Sequence, residues 1–72
     1  MKIVFSTHAR TSLLLRGIDA WKAKEIVKSP SWKKVQEDGT VLARKTFEGK
    51  TIEVVYIQKG ETYLIKTLYY ED

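Results

Sequence analysis

The sequence predicts a single α+β domain over residues 1–72, in which two helices pack on one face of an antiparallel sheet in the order β-α-α-β-β-β-β. One observation is that apolar residues recur at helical spacing in the N-terminal part and then alternate with a period of two from Trp32 onward. Another is that short turn signals separate the later strands, which forces antiparallel pairing because a parallel crossover needs about a dozen residues. The length agrees, since 72 residues can bury only one core.

The first elements are predicted to be a short strand and a helix. Lys2–Phe5 is apolar and β-branched enough for a strand, and Ser6 or Thr7 can cap a helix over His8–Arg16. The run Leu13–Leu15 covers more than half a helical turn, so we expect this helix to be packed on two sides.

A second helix is predicted between Asp19 and Lys28. The carboxylate of Asp19 is expected to accept N–H bonds from the first helical turn. The helix ends by Lys28 because Pro30 disfavours helical geometry at the residue before it.

Four strands are predicted after the helices, at Trp32–Glu37, Thr40–Phe47, Thr51–Gln58 and Thr62–Tyr70. The first two are expected to join through a tight type I′ turn at Asp38-Gly39. The last two are apolar on both faces, which predicts central positions. Simple alternation places four residues on one face of the last strand: Leu64, Lys66, Leu68 and Tyr70. With helices on one side of the sheet, a ligand, a partner or a second copy of the chain is expected on the other.

Composition excludes several classes of protein. There is no cysteine, which excludes disulfides and thiolate metal sites, and the single histidine excludes a multi-histidine site within one chain. We therefore expect no metal and no cofactor. The longest apolar run, Val54–Ile57, is far shorter than the ~20 residues of a membrane span, so we expect a cytoplasmic protein with no membrane partner.

Charge is distributed unevenly along the chain. The net charge is +4. Residues 1–36 hold eight Lys and Arg against two acidic residues, whereas residues 37–72 hold five against seven. This asymmetry favours binding of a polyanion to one side, although an ordinary solvated surface explains it about equally well.

One stretch carries a family resemblance. Ser6-Thr7-His8-Ala9-Arg10 followed by Arg16-Gly17-Ile18-Asp19 resembles the His-Ala…Arg-Gly-Ile signature of a family of short bacterial and archaeal proteins of unassigned function, placed near the RelE/ParE superfamily of toxins. The pattern continues with Ser29-Pro30 after the second helix, the Asp38-Gly39 turn and a closing Thr67-Leu68-Tyr69 strand, so it covers nearly the whole chain.

The resemblance implies a RelE-like fold and, as in characterised relatives, metal-independent cleavage of messenger RNA, in some cases on the ribosome. It also implies a cognate antitoxin protein that neutralises the toxin. Relatives in the ParE branch inhibit DNA gyrase instead. The chain departs from the better-known nucleases because only Lys66 stands in its last strand, where they carry a cluster of cations.

His8, Arg16 and Tyr69 are the candidate catalytic residues. Cleavage through the 2′-hydroxyl needs a base, an acid and cations that stabilise the phosphorane. Histidine is the only side chain with an unperturbed pKa near neutrality, and the start of a helix favours its neutral form. The alternative interpretations are structural: in them, His8 only anchors the first helix and Arg16 only caps its end. Tyr69 is favoured over Tyr70 by its place in the family pattern.

The candidate RNA-binding residues are Arg10, Arg44 and Lys66. Arg10 lies in the first helical turn, where the dipole disfavours a cation unless an anion is near. Arg44 and Lys45 must point to opposite faces of a strand, and either could be the one facing a groove. A non-enzymatic domain that binds a protein partner, RNA or itself through the two-sided apolar strands is the alternative function.

Overall fold

A computed structural model describes residues 1–71 and confirms the predicted element order. The elements are β1 (Lys2–Phe5), α1 (Thr7–Arg16), α2 (Ala20–Lys28), β2 (Trp32–Val35), β3 (Thr40–Phe47), β4 (Lys50–Lys59) and β5 (Thr62–Glu71). The five strands form one sheet in the order β1-β5-β4-β3-β2. β1 pairs with β5 in parallel and the other pairs are antiparallel, so β4 and β5 are central as their apolar character predicted.

Helix α1 packs against β5 through one side only. Its buried residues are Ala9 and Ser12, whereas Leu14 is 85% exposed and Leu15 is 78% exposed. The expectation of packing on two sides is therefore wrong, because no element among residues 1–71 lies over the outer side of α1. The helix ends where expected, with Gly17 at its C-cap.

Helix α2 covers β3 and β4 through the buried residues Ala23, Ile26 and Val27. Asp19 is its N-cap, but its carboxylate does not accept the expected hydrogen bond from an N–H of the first turn. The backbone carbonyl of Asp19 instead accepts a hydrogen bond from the Lys22 N–H at 3.0 Å. The carboxylate therefore acts on the helix only through its charge.

The hairpin turns differ from the prediction. β2 ends at Val35, so a four-residue loop over 36–39 replaces the tight turn, and only Gly39 in it has positive φ. A type I′ turn needs positive φ at both central residues, which Asp38 lacks. The next hairpin has that geometry: Glu48 (φ 50°) and Gly49 (φ 83°) alone separate β3 from β4.

The core lies between the helices and one face of the sheet. Twelve buried apolar residues form it, namely Ala9, Ile18, Ala23, Ile26, Val27, Val41, Ala43, Ile52, Val54, Tyr56, Ile65 and Leu68. We call this the helix face of the sheet, and the opposite side the open face. No element among the described residues packs on the open face.

A β-bulge in β5 changes which side chains share a face. Val55 pairs with Thr67 but the next residue of β4, Tyr56, pairs with Ile65, so Lys66 has no partner. Alternation is interrupted there: Leu68 is in the core, while Lys66 lies with Thr67 on the open face. The expectation that Lys66 and Leu68 share a face is therefore wrong.

Candidate functional site

The open face carries a groove near the start of α1. We refer to it simply as the groove. It is lined by Ser6, His8, Gln36, Asp38, Thr40, Val55, Leu64, Lys66 and Thr67. His8 and Lys66 are both exposed, so their polar atoms are open to a ligand. The floor is formed by half-buried apolar side chains of β4 and β5.

The bulge places Lys66 in the groove. With regular pairing, adjacent side chains of β5 would point to opposite faces of the sheet. Because Lys66 is the unpaired residue, both it and Thr67 line the groove beside Leu64. Bulges that redirect a side chain are common beside active sites.

Ser6 fixes the position of His8 relative to the bulge. The Ser6 N–H donates to the Ile65 carbonyl at 2.9 Å, and the Ser6 hydroxyl donates to the Lys66 carbonyl at 2.9 Å. The same hydroxyl oxygen accepts the Ala9 N–H at 3.0 Å, as an N-cap does. The first turn of α1 is thus attached to the bulge, and His8 enters the groove from that turn.

The opposite wall of the groove comes from the β2–β3 loop. Asp38 Oδ1 accepts hydrogen bonds from the Thr40 hydroxyl at 2.6 Å and the Thr40 N–H at 3.0 Å. These bonds, with a smaller contribution from the charge of Lys66, lower the pKa of Asp38. The carboxylate is therefore ionised at neutral pH and engaged by its own loop.

A second polar group, which we call the Glu53 cluster, lies farther along the open face. Glu53 is 3% exposed and accepts from Arg44 Nε at 2.6 Å, and its other oxygen accepts from the Tyr69 hydroxyl. The Arg44 guanidinium also lies 3.6 Å from Glu71 and 4.3 Å from the centre of the Trp32 ring. The bond to Glu53 raises the pKa of Tyr69 to about 12, so Tyr69 stays protonated at neutral pH.

The structure divides the predicted site residues among four places. His8 and Lys66 both line the groove. Arg44 and Tyr69 meet in the Glu53 cluster, and Tyr69 lies three residues, or about 10 Å of strand, from Lys66.

The remaining two predicted residues are on α1. Arg16 donates from Nε to the Leu68 carbonyl at 3.3 Å, on the edge of β5 that lies beyond the last pair with β1. Arg10 is exposed and points about 200° around the helix from His8, so it is directed away from the groove.

For two pairs of adjacent residues, the structure shows which member lies on the open face. Arg44 lies on the open face, while Lys45 lies on the helix face and bonds Glu25 at 2.9 Å. Tyr69 lies on the open face opposite Glu53, while Tyr70 packs against the core beside Ile52.

Two acidic residues of these sites were not singled out from the sequence. Glu53 carried a usable signal, since a lone carboxylate between Ile52 and Val54 in a two-sided apolar strand must be paired if it is buried. For Asp38 the sequence offered no signal beyond its place in a turn, because the groove forms only when the β2–β3 loop folds toward the bulge.

Residues 1–71 include no group of three His, Cys, Asp or Glu side chains arranged to hold a metal ion. None of the helices in this range has the length and apolar character needed to cross a membrane. No protein-family model matches the chain, and neither the curated proteins nor the solved structures include a significant match.

Proposed function

We propose that the protein is a metal-independent endoribonuclease of the RelE/ParE type that acts as the toxin of a toxin–antitoxin module. The observation that carries this proposal is that the exposed side chains of His8 and Lys66 line the same groove on the uncovered face of the sheet. These two residues supply a base and a cation, which are two of the groups that cleavage through the 2′-hydroxyl requires.

The groove supplies a role for each residue. His8 accepts the proton of the ribose 2′-hydroxyl as its oxygen attacks the adjacent phosphorus. The Lys66 ammonium stabilises the charge that builds on the phosphoryl oxygens. The bond from phosphorus to the 5′ oxygen then breaks, and that oxygen takes a proton from Lys66 or from water. The products are a 2′,3′-cyclic phosphate and a free 5′-hydroxyl.

The Glu53 cluster has a different place in this proposal. Arg44 is already paired with two carboxylates, and the Tyr69 hydroxyl is already bonded to one of them. These two residues therefore stabilise the sheet beside the groove. RNA reaching this end of the open face would meet Trp32, which is 40% exposed and could stack on a base.

RNA cleavage by the purified protein tests the proposal. We expect a single-stranded RNA to be cut in the presence of EDTA, with 2′,3′-cyclic phosphate ends. His8→Ala should lower the rate by about 10²-fold or more, as expected for loss of a general base. Thr11→Ala is the matched control, because Thr11 is exposed on the same helix and lies outside the groove.

Expression of the lone gene gives a second measurement. The parent chain should arrest growth, co-expression of the neighbouring antitoxin gene should restore it, and His8→Ala should relieve the arrest. Absence of both cleavage and growth arrest from the parent chain, or equal cleavage by the His8→Ala protein, would refute the proposal.

A non-enzymatic interaction domain is the second candidate function. It is favoured by the adjacent exposed leucines of α1, Leu14 and Leu15, which have no structural role within residues 1–71. If this function is correct, the wild-type chain should form a stable dimer or heteromer by sedimentation analysis. Leu14→Ser with Leu15→Ser should return it to a monomer, and RNA cleavage should be absent.

A further inference from the structure

A small recess lies on the helix face, away from the groove, between α2 and the β3–β4 hairpin. We call it the lysine recess. It is lined by Lys22, Phe47, Glu48, Lys50, Ile52 and Tyr70. Two lysines, two aromatic residues and one acidic residue, Glu48, therefore line a recess to which the proposed cleavage chemistry assigns no role.

Within residues 1–71, neither lysine of the recess forms an ion pair. The ion pairs of residues 1–71 join Arg44 to Glu53 and Glu71, and Lys45 to Glu25, so Lys22 and Lys50 take part in none. Lys22 is half-buried and stands in the first turn of α2, where the helix dipole is unfavourable to a cation. A bound anion would offset this repulsion.

The aromatic rings hold the lysines only weakly. Lys22 Nζ lies 5.8 Å from the Trp21 ring centre and 5.7 Å from that of Phe47, and Lys50 Nζ lies 5.4 Å from that of Tyr70. These distances are near the ~6 Å limit of cation–π attraction. The ammonium donors therefore remain available to a ligand.

The exposed ring of Trp21 lies at the rim of the recess, where a planar ligand ring can stack on it. Trp21 is 59% exposed and touches Phe47 edge-on, with ring centres 5.7 Å apart. The recess encloses about 160 Å³, which is less than the ~300–1,000 Å³ of a site that encloses a whole small molecule. A phosphate fits within it, and an attached base would lie outside, against Trp21.

We propose that the lysine recess binds a nucleotide, with its phosphate between Lys22 and Lys50 and its base stacked on Trp21. The nucleotide is either free or one unit of a single-stranded RNA, and in the second case the inference rests on the proposed function. Cationic side chains beside an exposed aromatic ring are the usual means of holding single-stranded nucleic acid.

Fluorescence of Trp21 tests the proposal directly. In a Trp32→Phe protein Trp21 is the only tryptophan, and phenylalanine keeps a ring beside Arg44. The protein is titrated with four ligands: a 5′-mononucleotide, a hexanucleotide RNA, the unphosphorylated nucleoside and inorganic phosphate. The first two distinguish a free nucleotide from RNA as the ligand. The last two measure the separate contributions of the nucleoside and of the phosphate. We expect saturable quenching by the mononucleotide or the RNA. The nucleoside and phosphate should each bind at least about tenfold more weakly in the same titration.

Paired lysine variants identify the binding site. Lys22→Ala with Lys50→Ala should weaken nucleotide binding at least about tenfold, as expected for loss of both phosphate contacts. Lys24→Ala with Lys28→Ala removes the same charge from exposed positions of α2 and should change binding less than about twofold.

The outcomes separate this site from the cleavage site. Binding that depends on Lys22 and Lys50 supports the proposed nucleotide site even if RNA is never cleaved. If the mononucleotide binds and the RNA does not, the ligand is a free nucleotide. No quenching by either nucleotide, or equal weakening by the two lysine pairs, overturns it. A His8→Ala protein should still bind, because His8 lies on the opposite face of the sheet.

Discussion

Glu53 places a carboxylate in the interior of the open face, where 3% exposure leaves it almost no access to water. Such a charge is tolerated only if it is paired and hydrogen-bonded. Arg44 supplies the charge and one bond, and the Tyr69 hydroxyl supplies another. The three side chains therefore depend on one another, and Glu53 holds Arg44 and Tyr69 in place.

Removing this charge should be costly. We expect Glu53→Gln to lower the free energy of unfolding by about 1–3 kcal/mol, because the bonds from Arg44 and Tyr69 lose their charge-assisted character while Arg44 is partly exposed and can still reach Glu71. Urea denaturation measures the change. Glu61→Gln, at an exposed loop position, is the matched control and should fall within about 0.5 kcal/mol of the parent. A loss no larger than that of the control would contradict the structural role of Glu53.

Tyr69 predicts a specific loss of stability at high pH. Its pKa is raised to about 12 in the folded chain, against 10.0 as the ordinary value. Between these values the unfolded chain releases the proton and the folded chain retains it, so the free energy of unfolding falls as the pH rises through this window. Below pH 10 the contribution is fully present.

Ultraviolet titration of the tyrosines, together with urea denaturation over the same pH range, checks this prediction. Tyr69→Phe should remove one tyrosine that ionises near pH 12 and flatten the fall in stability, and Glu53→Gln should move that ionisation back toward 10. Burial also raises the pKa of Tyr56, so the assignment depends on which signal the Tyr69→Phe change removes. An unchanged high-pH signal in that variant would exclude Tyr69 as its source.

At the scale of the elements, hydrophobic periodicity predicted each helix and strand but not the irregularities between them. Nothing in the residues of β5 distinguishes a bulge at Lys66 from continued alternation, because the bulge arises from how β4 and β5 are paired through their hairpin. Likewise, Asp38-Gly39 has the composition of a type I′ turn, yet the Asp38 carboxylate bonds the Thr40 N–H and stabilises a longer loop.

The Glu48-Gly49 turn offers a stabilising substitution. Glu48 is the only non-glycine with positive φ among the described residues, at 50°, and this conformation is costly for a long side chain. Asparagine tolerates it better and precedes glycine in favoured type I′ turns. Glu48→Asn should therefore raise the free energy of unfolding by about 0.5–1 kcal/mol.

Thermal denaturation should show this as a rise in Tm of about 2–8 °C for a domain of this size. Glu37→Asn is the control, because Glu37 lies in the β2–β3 loop without positive φ and should leave Tm nearly unchanged. An equal rise in both variants would indicate a general effect of charge and not relief of backbone strain.

Across the whole molecule, the proposed chemistry and the proposed nucleotide site lie on opposite sides of one sheet. The identity of the candidate groove residues could be predicted for His8 and Lys66 from residue type and family resemblance. Their placement in one groove could not, since it depends on the bulge and on the bonds from Ser6 to β5. The sequence made Arg16 a candidate catalytic cation, but in the structure it donates a hydrogen bond to the Leu68 carbonyl at the uncovered edge of β5.

The salt dependence of RNA binding measures how the groove contributes to attraction of the polymer. Each phosphate neutralised on a single strand adds about −0.7 to the slope of log affinity against log salt. If Lys66 contacts one phosphate in the groove, Lys66→Ala should make this slope shallower by about 0.7 and weaken binding most at low salt. Binding is measured with the His8→Ala protein, so that the RNA stays intact.

Lys59→Ala is the matched control, since it removes the same charge from an exposed position at the end of β4, outside the groove. Its slope should stay within about 0.2 of the parent value, because a lysine that does not line the groove makes no contact with a phosphate bound there. Equal changes in slope for Lys66→Ala and Lys59→Ala would mean that RNA is attracted by the net charge of the chain and does not lie in the groove.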